Sequence, residues 1–439
     1  MKKKKLYFVL AVCLALAAGG AAVYIALKPE PNPAILKNSV IMRKGPLAYM
    51  EVRHIVLKGS NKEIGQAIAD IARRDYRVEL VKYASPVYAR ARYTYMRNNY
   101  PALLERMKGV AESFGIKLED TDMDTSSLYY SINPPECSSV FFPADVSESG
   151  GSFYVCNRDC YPGSVSEAMG LKRKNGEEDI FSRAAVIELY PDEGYPSIGI
   201  AAVDLMNMRV DAVNSMGLGV ALFKDATAGD QNTAGDISRQ SGLSIYQAVQ
   251  IIMDTCSTAD EAKEVILSNK ITMSPVTARL MVMDSSGRSF LYERSPKDHE
   301  DRFTDWQGEP VVVTNHSAYE YPSSDTFPDD ERDGHGSFKR YRTLEKYVKS
   351  RAGKFSESDG TEAMELVYER GGDASGKDRV SAVRTLYTAL VNMEERSIKV
   401  KFYARDGKKD RGTGLAELVF SKPFEFKIEV PEDTVSGQK

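Results

Sequence analysis

The stretch ARLMVMDSSGRSFLYERS, residues 278–295, sets an apolar run on each side of Ser285-Ser286-Gly287. Two such runs about a tight glycine-bearing turn are the signature of an antiparallel hairpin. The pattern recurs. SSVFFPA and SFYVCNRD pair across Gly150-Gly151, and SAVRTLYTALVNMEERSIKVKFYAR, residues 381–405, turns at its centre. SIGIAAVDLMN and RVDAVNSMGLGVALFKD supply further strands. Helical segments separate these strands: LSIYQAVQIIMDTC, TADEAKEVILSN (with Thr258 and Glu261 in capping-box positions), GSFKRYRTLEKYVKSRAG and GTEAMELVYERGG. Long hairpins alternating with helical pairs point to an α+β layered architecture.

The chain before residue 137 has a different texture. AYMEVRHIVLKGS is one strand. Ser60 and Glu63 then form a capping box that opens a helix with Ile64, Ile68 and Ile71 on one face. A second helix, YPALLERMKGVAESFGI, aligns Leu103, Leu104, Met107, Val110, Ala111 and Phe114. Residues 46–136 are therefore expected to be mainly helical. At the start, MKKKK precedes an uncharged run from Leu6 to Leu27, a basic-then-apolar export pattern long enough to span a bilayer. Residues 1–28 are expected to be a signal or membrane anchor, with the remainder outside the cytoplasm. Residues 29–45, rich in proline, are expected to be a linker, 137–430 the core, and 431–439 a disordered tail.

Some partners are disfavoured. A net charge of −4 without a basic stripe argues against nucleic acid. No C-x-x-C or H-E-x-x-H spacing occurs, and the four histidines are His54, His299, His316 and His335, so neither metal nor cofactor is expected. Four cysteines follow the apolar run: Cys137, Cys156, Cys160 and Cys256. An even set in an exported chain suggests disulfides. If one is a nucleophile, at most one pair remains.

Cys137 follows Pro134-Pro135-Glu136 at the start of a strand. Alone, such a cysteine is ordinarily a small buried apolar residue. Three other segments bear on it: CNRD, ending in Asp159; VNSMGLGVAL, containing Asn214; and VVVTNHS, containing Asn315. Each by itself is a common turn fragment. Together with EIGQAIADIA, ECSSVFF and RLMVMDSSGRSFLYERSP, in this order, they resemble the cysteine N-terminal-nucleophile hydrolases. That group includes choloylglycine hydrolase, penicillin V acylase and the acyl-CoA:6-aminopenicillanic acid acyltransferases.

The resemblance implies a four-layer αββα sandwich of two antiparallel sheets. It also implies self-cleavage after Glu136, which makes Cys137 the first residue of a mature chain. A freed α-amine has a pKa near ~8 and a thiol near ~8.5, so one residue carries both nucleophile and base. By resemblance Asp159 orients that amine, Asn214 and Asn315 are oxyanion donors, and a late arginine assists. Arg384 is the candidate for that arginine and Arg379 its competitor. The chain departs from its relatives at Cys156, where many carry arginine or glycine, and at Glu136, where glycine is common. The expected activity is hydrolysis of a small acyl amide through a thioester. The alternatives are acyl transfer to an amine, an inactive membrane-anchored binding protein on the same fold, and a cysteine peptidase using His316. Trp306 and the tyrosines of YASPVYARARYTYMRNNY are candidates for an acyl pocket.

Overall fold

A computed structural model describes residues 32–82, 86–120, 123–126, 136–168, 171–201, 209–225, 242–272, 278–295, 298, 300–328, 336–371 and 383–429. Two large sheets face each other. The first runs through β1 (Ile35–Met42), β2 (Glu51–Gly59), β5 (Arg183–Pro191), β6 (Ser197–Ala201), β7 (Arg209–Asn214), β8 (Gly219–Lys224), β9 (Ala278–Met283), β10 (Arg288–Arg294) and β11 (Asp301–Gln307), in that order. The second runs through β12 (Val311–Val313), β3 (Glu136–Phe142), β4 (Phe153–Cys160), β13 (Arg384–Asn392), β14 (Ser397–Lys409) and β15 (Ala416–Phe420). Its seventh strand, β16 (Phe424–Lys427), also pairs with β14.

The hairpins expected at 138–159, 278–295 and 381–405 form as β3–β4, β9–β10 and β13–β14. Gly287, at the β9–β10 turn, has φ +88°, a conformation that favours glycine. Within these two sheets the pairing of the described strands is antiparallel except between β2 and β5, which run parallel over nine residues.

Helices cover both outer faces. α1 (Asn61–Ile71) packs on β2 and β5, beside α3 (Pro101–Ser113). α4 (Ile245–Thr255) lies on β7, and α5 (Ala259–Leu267) on β9 and β10. Across the molecule, α6 (Ser337–Ser350) and α7 (Glu357–Glu365) cover β3, β4, β12 and β13. The layers are thus helices, sheet, sheet, helices, an α+β sandwich.

The local logic is legible. Ser60 Oγ accepts the Glu63 N–H while Glu63 returns to the Ser60 N–H, closing the capping box. Ile64, Ile68 and Ile71 are buried, each such side chain worth roughly 1.5–3 kcal/mol against exposure. Gly65 and Gly109 let α1 and α3 touch backbone to backbone: a Cβ at Gly65 would fall on the Arg106 carbonyl, and one at Gly109 on that of Lys62.

The N-terminal segment departs from expectation. Residues 35–42, expected as part of a linker, form β1, and with β2 they extend the first sheet by two strands. Backbone pairing and the apolar packing of β2, not composition, decide this. The segment is tied down further by Arg106–Asp254 (2.9 Å) and His54–Glu188 (2.6 Å). Residues 1–28 and 431–439 lie outside the described residues. Among the described residues no helix is long and apolar enough to cross a membrane.

Candidate functional site

Cys137 is the second residue of β3, and β3 lies between β12 and β4. Strand alternation sends its side chain toward the first sheet, where Sγ lies 3.8 Å from the Leu222 carbonyl. It is fully buried, and burial pushes the thiol pKa up, with the Arg158 guanidinium pulling the other way.

The register of β12 on β3 sets Val313 opposite Ser139. Two residues on, the chain brings Asn315 to Cys137, whose N–H donates to Asn315 Oδ1 at 2.7 Å. The same oxygen accepts from Arg340 Nη2 at 2.9 Å, and Asn315 Nδ2 donates to the Lys224 carbonyl at 2.9 Å. Asn315 is therefore fixed at both ends. Ser337, the first residue of α6, accepts the Asn315 N–H at 2.8 Å and anchors the turn.

Glu136 and Asp159 face each other across β3–β4, and their side chains point the opposite way to Cys137. There, one nitrogen, Arg340 Nη1, lies 3.4 Å from Glu136 Oε2, 3.5 Å from Asp159 Oδ2 and 3.3 Å from Glu369 Oε1. Thr385 Oγ1 donates to Asp159 Oδ1 at 2.5 Å. One guanidinium cannot balance three carboxylates, so protons are retained. Burial pushes Asp159 up to about 8 despite Arg340, and burial likewise raises Glu369.

On the thiol side of the sheet, Arg158 is also fully buried. It donates to Asp211 Oδ2 through Nε (2.8 Å), pairs with Asp211 Oδ1 through Nη2, and donates to the Leu222 carbonyl through Nη1 (2.5 Å). Tyr387 OH and Cys156 Sγ donate to the same carboxylate at 2.9 and 3.2 Å.

The structure thus brings together Cys137, Asp159 and Asn315, and adds Arg340, Arg158, Asp211 and Thr385, none of them expected as site residues. It does not bring Asn214 or Arg384. Asn214 Oδ1 accepts the N–H groups of Met216 and Leu218, and Nδ2 donates to the Met253 and Cys256 carbonyls (3.2 and 2.8 Å). Its amide is consumed in closing the β7–β8 turn and fixing α4. Leu222, beside the thiol, is four residues further along β8 than Leu218, roughly 13 Å away at the strand rise. Arg384 forms a two-pronged pair with Asp406 (2.8 and 3.0 Å). The arginine that the structure places beside Asn315 and Asp159 is Arg340, from the first turns of α6. Arg379 lies outside the described residues.

Cys137, Cys156, Cys160 and Cys256 are free thiols. Cys156 and Cys160 share β4 four residues apart, about 13 Å, against the ~7 Å limit of a disulfide. His316 is caged by Phe327, Phe338 and Tyr341, with Nδ1 against Ser337 Oγ at 3.0 Å. Burial, with Arg279, Arg340 and Arg342 nearby, pulls its pKa down to about 3, so it is neutral. Trp306 lies on β11, three strands from β8, at a surface hollow of about 260 Å³ with Asp260 and Arg288. Among the described residues no His, Cys, Asp and Glu side chains converge as a metal site.

Residues 146–406, more than half of the chain, match the family model of acyl-coenzyme A:6-aminopenicillanic acid acyl-transferase. The chain belongs to that family. It is therefore a member of the cysteine N-terminal-nucleophile hydrolase superfamily. The match to the acyl-transferase family takes in Asp159, Asn315 and Arg340 and begins just after Cys137. Solved structures that the chain resembles include a conjugated bile acid hydrolase from Clostridium perfringens. It has 12% identity and a TM-score of 0.46, covering 67% of this chain and 97% of that one. Penicillin V acylase from Agrobacterium tumefaciens has 15% identity and a TM-score of 0.40, covering 62% and 84%. No curated protein matches the sequence.

Proposed function

We propose that the protein is an extracytoplasmic amide C–N hydrolase whose nucleophile, Cys137, is exposed as an N-terminal residue by self-cleavage after Glu136. The observation that carries the reading is the setting of the Cys137 backbone nitrogen. It lies 2.7 Å from Asn315 Oδ1, in a buried cluster with Arg340 and Asp159. That is where a freed α-amine needs an acceptor to orient it, and its positive charge would favour ionisation of the buried Asp159 in the same cluster. In the uncut chain the thiol is buried with its pKa raised, and the adjacent nitrogen is an amide that cannot serve as a base for turnover of an outside substrate. Cutting converts the adjacent nitrogen into a base within the same residue.

The reaction then follows in order. The amine takes the thiol proton, and sulfur adds to the carbonyl of a small acyl amide. The amine leaves with the proton, and water hydrolyses the thioester. Neutral donors around an oxyanion contribute roughly 3–4 kcal/mol each. The Arg158 guanidinium is the side-chain donor on the thiol side of Cys137, and the Asn315 amide lies on the side of its nitrogen. The family match favours a second reading, in which an amine replaces water and the acyl group is transferred. His316, neutral and caged, offers no base for a papain-like alternative. The basic-apolar start of the chain supports export, with the membrane reached through residues 1–28.

Mass spectrometry of the purified protein should show a fragment beginning at Cys137, and Cys137→Ala should remain one chain without acyl-amide turnover. A wild-type chain that stays intact and unreactive toward iodoacetamide at Cys137 would refute self-processing. Product analysis with and without added amines separates hydrolysis from transfer.

A further inference from the structure

We propose that the side-chain carboxylate of Glu136 is the base that completes self-cleavage, activating the water that hydrolyses the thioester formed on its own carbonyl. The proposal rests on the self-cleavage reading above.

The argument begins with the two faces of β3. Glu136 and Cys137 are adjacent on one strand, so their side chains leave from opposite faces. The thiol lies in the closed space between the sheets, beside the Leu222 carbonyl. The Glu136 side chain lies on the helix side, 11% exposed, with Oε2 held 3.4 Å from Arg340 Nη1. The bond to be cut joins these two residues. Sulfur therefore approaches the Glu136 carbonyl from the face between the sheets, and the Glu136 carboxylate lies on the other face.

In the first step Sγ adds to the Glu136 carbonyl carbon. The C–N bond breaks, a C–S bond forms, and the thiol proton passes to the Cys137 nitrogen, leaving a thioester and a free amine. In the second step a base must take a proton from water. Three carboxyl groups meet Arg340 on the helix side. Asp159 is fully buried and holds its proton to about pH 8, and burial raises Glu369 as well. Glu136 is the one tethered to the reacting carbonyl, through its own Cα, Cβ and Cγ. A catalytic group attached to its own electrophile gains the large effective concentration of an intramolecular reaction. Its carboxylate takes the proton, hydroxide adds, and the C–S bond breaks. The departing Cys137 thiolate recovers the proton, leaving an α-carboxyl group on Glu136 and a thiol and α-amine on Cys137.

Relatives with glycine before the nucleophile have no such carboxylate. Arg340 serves as the positioning residue that holds the Glu136 carboxylate on the helix side of β3.

The test compares the wild type, Cys137→Ala and Glu136→Gln by the rate at which the fragment starting at Cys137 appears, with and without hydroxylamine. Hydroxylamine attacks thioesters directly and needs no base. The wild type should cut and Cys137→Ala should not, with or without the reagent. Glu136→Gln should cut at least 100-fold more slowly, in the range of a lost general base, and hydroxylamine should restore cutting. Rescue also shows that the variant is folded and has formed its thioester. Unaided cutting of Glu136→Gln at the wild-type rate overturns the proposal. So does a slow variant that hydroxylamine fails to rescue, since Glu136 then acts before the thioester. A wild type that never cuts defeats the self-cleavage reading itself, which sets that failure apart from the other two.

Discussion

The cluster around Arg340 makes a pH-dependent prediction for the uncut protein. The perturbation is Asp159→Asn in a Cys137→Ala chain, which cannot cut itself. Asp159 is fully buried and its pKa moves from an ordinary 3.8 to about 8. The native state therefore keeps a proton that the unfolded state releases. Its contribution to stability is fully present below pH 4, declines as pH rises, and is gone once pH passes about 8. At about 1.4 kcal/mol per pH unit, a displacement of this size has a ceiling of about 6 kcal/mol. Glu136 and Glu369 crowd the same guanidinium and share the burden, so the expected share for Asp159 is about 2–3 kcal/mol. Asparagine keeps an oxygen to accept from Thr385 but cannot ionise. Urea unfolding between pH 5 and 8.5 should show Cys137→Ala losing about 2–3 kcal/mol relative to the double variant. Parallel stability profiles would refute the reasoning, because Asp159 would then be ionised throughout, with Arg340 compensating it in full.

Three further outcomes follow from the same geometry. Asn315→Ala should abolish turnover, whereas Asn214→Ala, which removes buried turn and helix bonds, should lower stability by about 1–3 kcal/mol and leave the activity of the folded fraction intact, as read by active-site titration. Arg340→Lys should reduce activity at least tenfold, because a single ammonium cannot serve Asn315 and the carboxylates together, while Arg384→Ala should change only the melting temperature. Gly65→Ala places a methyl on the Arg106 carbonyl and should force α1 from α3, at a cost of about 1–3 kcal/mol or more by calorimetry.

Much of the frame was legible because hairpins and caps are local. Ser60 with Glu63, and Ser285-Ser286-Gly287, are decided by neighbours a few residues away. Asn315 was legible because it follows a strand directly and strand register carries it to Cys137. Arg340 was hidden for the opposite reason. It belongs to SFKRYR, where Lys339, Arg340 and Arg342 look alike in sequence, and only the packing of α6 on β3 selects the one that turns inward. Arg384 misled because its strand does pair with β4, opposite Cys160, while its side chain goes to Asp406. Asn214 misled because an Asn-x-x-Gly segment is the same string whether its amide faces a substrate or closes its own turn. The edge strand β1 escaped notice because Ile35–Met42 is only partly buried and follows prolines.

The parallel pairing of β2 with β5 has a consequence for the order of events in the cell. A cut before Cys137 removes one covalent bond, but β2 stays hydrogen-bonded between β1 and β5, with α1 packed across it. The severed piece is woven in and cannot diffuse away while the sheet persists. Maturation would therefore be silent to any method that weighs the native particle and visible only after denaturation. Once denatured, the two polypeptides would have to find each other by collision, so refolding yield would depend on concentration where that of the uncut precursor does not. The scission would act as a ratchet: assembly happens once, while the segment is still continuous, and the finished enzyme retains a shape it can no longer rebuild alone.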